Sequence, residues 1–142
     1  MDTIKLRVFN YEHNPCDGDY EMVEVLINER SLLDWVDDVE LSNAKESGEE
    51  PYVNRYAFLG VGYFLDMLTQ PNPYVLGCTC TDPGCDPVTV HVKETENSVV
   101  WGNFCNPSTD EEYSPLRFEF DKTQYFEEMQ KIKGYWSHGR YD

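Results

Sequence analysis

Met22-Val23-Glu24-Val25-Leu26-Ile27-Asn28-Glu29-Arg30-Ser31-Leu32-Leu33-Asp34-Trp35-Val36-Asp37-Asp38-Val39 changes its hydrophobic period half-way along. The dense Val/Leu/Ile run at 22–27 suits a strand, because β-branched and large apolar side chains pack well on a pleated surface. After Ser31, which can cap a helix, Leu32, Trp35, Val36 and Val39 recur at i, i+3, i+4 and i+7. That spacing gathers them on one helical stripe and leaves Asp34, Asp37 and Asp38 on the wet side. Strand followed directly by amphipathic helix is the α+β signature on which the rest of the chain can be placed.

Upstream, Ile4, Leu6 and Val8 alternate with Lys5, Arg7 and Phe9, a period of two. A turn-rich segment, Asn14-Pro15-Cys16-Asp17-Gly18-Asp19, separates this strand from the next, so the pair is expected to be antiparallel. Downstream, residues 42–51 have no apolar period and read as an exposed loop. A short helix is expected near 63–69, ended by Pro71 and Pro73. Asp121 can cap a last helix in which Tyr125, Met129 and Ile132 share a face and Gly134 marks the end. The expected fold is one α+β domain over residues 1–142. Its largely antiparallel sheet comes from residues 3–9, 21–28, 74–78, 87–93, 98–101 and 117–120. Helices over 31–40 and 121–133 flank it, and residues 135–142 form a loose tail.

The chain of 142 residues carries 27 carboxylates against 11 Lys and Arg, a net charge of -16. Residues 1–50 hold 14 acids and 4 bases, so this third alone contributes -10. With 40% hydrophobic and 14% aromatic residues the chain has enough apolar surface to fold, unlike disordered acidic sequences. Its field repels nucleic-acid backbones and anionic membranes and steers cationic proteins inward. The same charge also serves solubility alone. The first residues, Met1-Asp2-Thr3-Ile4-Lys5, lack the regions of a secretion signal, and no apolar run reaches 18 residues, so a reducing, cytoplasmic location is expected.

Cys78-Thr79-Cys80-Thr81-Asp82-Pro83-Gly84-Cys85 places two thiols one residue apart and returns a third after a Pro-Gly turn. Structural zinc takes four ligands, which makes Cys105 the nearest candidate beside Cys78, Cys80 and Cys85. The alternative is that these cysteines are small buried thiols. Asp82 and Asp86 oppose a reactive thiolate, which needs nearby cations. No phosphate-binding loop, dinucleotide turn or nucleophile elbow occurs, so the reading is non-catalytic.

Leu76-Gly-Cys-Thr-Cys-Thr-Asp-Pro-Gly-Cys-Asp-Pro, Val99-Val-Trp-Gly-Asn-Phe and Phe118-Glu-Phe-Asp-Lys-Thr-Gln-Tyr occur in that order. Together they resemble a family of uncharacterised bacterial proteins with a Cys-x-Cys-Gly-x-x-Gly-Cys element, a Trp-x-x-Phe element and a closing Phe-x-Phe-Asp-x-x-Gln-Tyr helix. The chain departs from that pattern in two places. Thr81 stands where the pattern has Gly, and Cys105-Asn106-Pro107-Ser108 stands where it has Gln-Pro-His-Arg. The resemblance implies no established activity.

Composition therefore points to an acidic module that binds a basic, nucleic-acid-binding protein, as an immunity-type or phage-type inhibitor would. The expected contact residues are Asp34, Asp37, Asp38, Glu49, Glu50 and Tyr52. A small zinc-binding domain built on the four cysteines is the alternative.

Overall fold

The computed structural model describes residues 1–11, 20–51, 55–79 and 86–139. β1 (Ile4–Tyr11) and β2 (Tyr20–Ile27) pair antiparallel, from Ile4 opposite Ile27 to Tyr11 opposite Tyr20. Ile4 and Leu6 then share a buried face with Val23, Val25 and Ile27. Asn28 and Glu29, both with positive φ (55° and 65°), make a two-residue turn into β3 (Arg30–Ser31), where Ile27 faces Arg30. This is the left-handed hairpin geometry that matches strand twist. The two-residue β3 has no period of its own, so the sequence passed it over.

α1 (Leu32–Ser47) starts as expected, with the Ser31 hydroxyl oxygen accepting the Leu33 N–H. It does not stop at residue 40. Leu32, Val36, Val39, Glu40 and Ala44 are buried in succession, so the inward stripe runs on for another turn. Gly48 then adopts φ 77° and donates its N–H to the Ala44 carbonyl, the left-handed end that glycine tolerates best. Residues 42–47, expected as loop, are therefore helix.

β4 (Tyr56–Ala57), α2 (Val61–Met67), β5 (Tyr74–Cys78), β6 (Val88–Glu94), β7 (Ser98–Asn106), β8 (Glu111–Glu112) and β9 (Phe118–Asp121) follow. The second sheet runs β4-β5-β6-β7-β8, and β9 also pairs with β7. β9 lies against the first half of β7 (Trp101 opposite Phe118) and β8 against its end (Cys105 opposite Glu112). Every named strand pair is antiparallel, and isolated bridges at Asp2–Phe120 and Met22–Gly60 tie the two sheets together. The chain is a single α+β domain.

α3 (Lys122–Gly139) lies along β1 and satisfies its outer edge with side chains. The Gln124 amide accepts the Ile4 N–H (3.1 Å) and donates to the Ile4 carbonyl, and Glu128 accepts the Leu6 N–H (2.9 Å). An edge so covered cannot recruit a foreign strand. α3 also passes through Gly134, where the sequence reading ended it, so the tail expected from Tyr135 is helical as far as Gly139. Trp136 explains the continuation: its ring lies on Gly62 of α2, so close that a Cβ there would stand 2.9 Å from it. Among the described residues no helix is long and apolar enough to cross a membrane.

Candidate functional site

Arg55, just ahead of β4, enters a cleft of about 610 Å³ between the end of α1, the start of β6 and β8. Its side chain is only 12% exposed and three carboxylates surround it. Nε meets Asp86 Oδ2 at 2.8 Å, and Nη1 meets Glu111 at 3.1 Å and Glu40 at 3.5 Å. Asn43, Ala44, Ser47, Glu49, Glu50 and Thr109 complete the lining.

Beneath the guanidinium a chain of hydrogen bonds returns from Asp86 to Glu40. Asn106, fully buried on β7, donates one amide proton to Asp86 and the other to the Tyr56 hydroxyl (2.9 Å). Tyr113 donates its only proton to Glu40 (2.6 Å). The 2.6 Å bond between the two tyrosine hydroxyls must then run from Tyr56 to Tyr113. From Asn106 the donors run one way to Asp86 and the other way through Tyr56 and Tyr113 to Glu40, and Arg55 closes the ring. Asn106 Oδ1 accepts the N–H groups of Ser108 and Thr109, so this amide is saturated on both sides. Among the described residues no buried side-chain polar atom lacks a partner.

The charges are unequal to each other. Burial pushes the Glu40 carboxyl up to about 7, helped by the neighbouring Glu111 carboxylate. The Tyr113 hydroxyl and Arg55 oppose this without overcoming it. Burial pushes Asp86 the same way, but the hydrogen bonds from Arg55 and Asn106 and the charge of Arg55 outweigh it, and its carboxyl lies below the usual range. Arg55 is therefore committed chiefly to Asp86, and its own pKa is raised despite burial. Burial also pushes Tyr56 and Tyr113 upward, which keeps both as phenols at neutral pH.

No family model, curated protein or solved structure matches the chain. The geometry alone carries the functional reading, and it places the expected contact residues in two groups. Asp34 and Asp38 are exposed on α1 and Asp37 is half-buried between them. Arg30 binds Asp38 and the Asp34 carbonyl while its guanidinium lies 4.8 Å from the Trp35 ring centre. Glu49 and Glu50 are exposed at the mouth of the cleft, and Tyr52 lies outside the described residues.

Cys78 ends β5 and Cys105 lies on β7, with β6 between them. Both are half-buried. Their strands lie two strand spacings apart, and Cys105 faces Thr89, whose partner on β5 is Tyr74, four residues before Cys78. Cys80 and Cys85 lie outside the described residues, and the described ones hold no group of three or more His, Cys, Asp or Glu able to take a metal.

Sequence reasoning missed Glu40, Arg55, Asp86, Asn106, Glu111 and Tyr113. Two signals were there to be read. Glu40 falls four residues after Val36, inside the apolar stripe of α1, and Arg55 is the only Lys or Arg between Lys45 and Lys93. A carboxylate on a core-facing position needs a partner, and few cations were at hand.

Proposed function

We propose that the chain is a non-catalytic acidic binding module whose partner is a basic protein, of the kind whose cationic surface ordinarily contacts nucleic acid. The carrying observation is that α1 displays Asp34 and Asp38 along its outer face and ends beside Glu49 and Glu50, at a cleft lined by three further carboxylates and one arginine. Carboxylates spread along one rigid helix present a continuous negative surface, which attracts a cationic partner and turns away phosphate backbones. An inhibitor of immunity or phage type works by such surface matching. Asp37 and Tyr52 belong to the proposed contact set.

Capture of partners from a cell extract, followed by rate measurements, tests this. Association is expected to slow as salt rises from 0.05 M to 0.5 M, because the Debye length shrinks severalfold over that range. The triple variant Asp34→Lys, Asp37→Lys, Asp38→Lys is expected to slow association at least about tenfold at low salt, with an unchanged circular-dichroism spectrum. Equal rates at both salts and for both proteins would mean that the acidity serves solubility alone.

The zinc alternative would rest on Cys78, Cys80 and Cys85, with Cys105 two strands away from the first of them. Purified protein is expected to contain well under one zinc per two chains by elemental analysis. About one zinc per chain, with loss of fold on chelation, would establish the metal domain instead.

A further inference from the structure

We propose that the outer face of α1 carries a seat for an arginine side chain, formed by the Trp35 ring, the Asp38 carboxylate and the Asp34 carbonyl, and that Arg30 fills it until an arginine of the partner takes its place. The seat rests on the reading of this helix as a surface for a basic protein, and it names the group that the surface takes.

The ring is fixed before any cation arrives. Trp35 is half-buried, its indole N–H donates to the Ile27 carbonyl at the end of β2 (3.0 Å), and its ring meets Phe118 of β9 edge-on, 5.3 Å between centres at 72°. An aromatic face attracts a cation through its quadrupole, and guanidinium suits it better than ammonium because it is planar and weakly hydrated. Asp34 and Asp38 lie four residues apart, so they stand one above the other on the same side of the helix. Arg30 shows what this arrangement accepts. Its Nη2 donates to the Asp38 carboxylate and to the Asp34 carbonyl (3.3 Å), while its guanidinium carbon lies 4.8 Å from the Trp35 ring centre. A carboxylate, a carbonyl and an aromatic ring thus converge on one guanidinium.

The occupant is held less firmly than the seat. The Arg30 side chain is 38% exposed and that of Asp38 59%, and an ion pair so open to water is screened and contributes little. Charge complementarity favours replacement. From Glu29 to Val39 four carboxylates, Glu29, Asp34, Asp37 and Asp38, stand against Arg30 alone, so the seat keeps a negative surround even when it is filled. Arg30 is tethered beside it by the pairing of β3 with β2, where it faces Ile27. It therefore competes with every incoming arginine, and the apparent affinity falls by the fraction of time that the seat is closed. For a pair as weak as an exposed one, opening the seat should strengthen binding roughly two- to sixfold.

Hexaarginine and hexalysine peptides, titrated at one fixed ionic strength into the isotope-labelled intact chain and followed by NMR, test this. The two peptides carry equal charge, so a difference between them reports the seat rather than the overall field. With Arg30→Ala, hexaarginine is expected to bind roughly two- to sixfold more tightly than to the wild type and to move the Trp35 indole N–H resonance, while those of Trp101 and Trp136 stay in place. Hexalysine is expected to gain less than about 1.5-fold, and so is either peptide with Lys133→Ala, which removes the same charge from an exposed position on α3. If Arg30→Ala does not fold, Arg30→Gln gives the same comparison. Equal gains for the two peptides, a gain matched by Lys133→Ala, or an unresponsive Trp35 resonance would overturn the seat. No partner enters these titrations, so such a result leaves the salt-sensitive binding of a basic protein standing, and only the capture and salt experiments can overturn that.

Discussion

Arg55→Met is expected to destabilise the fold by about 3–5 kcal/mol at pH 8, lowering the thermal midpoint by roughly 10 °C. The substitution keeps much of the side-chain volume and removes only the charge and the N–H donors. Glu40, Asp86 and Glu111 then face one another without the guanidinium, and among the described side chains Asn106 still donates to Asp86 and Tyr113 to Glu40. Removing one partner of a buried ion cluster costs more than the cluster contributes, because the remaining charges have already left water. The loss should shrink at pH 5, where the carboxyls can protonate instead. Urea unfolding at both pH values measures it. A loss under about 1 kcal/mol at pH 8 would show that water screens the cluster as it does a surface ion pair. Asp86→Asn in the Arg55→Met background should recover part of the loss, since it deletes one of the stranded charges.

The contrast between this site and the sheet shows what a sequence can carry. β1, β2, β6 and the start of α1 repeat a period over five or more residues, and that period alone places them. β3, β4 and β8 are two residues long and exist only because a neighbouring strand is there to pair with. The extension of α1 to Ser47 hung on Ala44 and Gly48, a weak apolar residue and a capping residue eight places beyond the expected end. α3 outran Gly134 because of a contact with Gly62, some seventy residues away in the chain.

The cleft was harder still. Its members are distant in sequence, Glu40 and Tyr113 being 73 residues apart and Arg55 and Glu111 56 apart. Each looks ordinary alone: one acid among 27, one arginine, a tyrosine, an asparagine. Charge counting found the acidic third and the outer face of α1 because those are sums over neighbours. It had no means of finding acids turned inward, which depend on which strands meet. Asp34, Asp37 and Asp38 were placed on the wet side of α1 and Glu40 was not placed at all, although it is the acid of that helix that the fold buries.

Trp101→Ala is expected to cost about 3–5 kcal/mol, which for a domain of ordinary stability leaves little margin. Trp101 is fully buried on β7 and lies opposite Phe118 of β9. Its ring meets Phe120 at 5.5 Å and 88° and Tyr125 at 6.2 Å and 82°, both edge-on. Edge-to-face contacts of this kind contribute beyond the buried area. The indole N–H also donates to the Tyr125 hydroxyl (3.2 Å), a group that burial pushes up to about 12 and that stays protonated. One side chain thus joins β7, β9 and α3, and its removal opens a cavity where three elements meet. Trp101→Phe separates the two contributions, because it fills most of the space but gives Tyr125 no donor. It should cost about 1–2 kcal/mol, the range of a buried hydrogen bond plus a small void. Denaturant midpoints for Trp101→Phe, Tyr125→Phe and the variant carrying both complete a double-mutant cycle. A coupling near zero would mean that the indole N–H contributes nothing and that packing alone makes Trp101 the centre of this core.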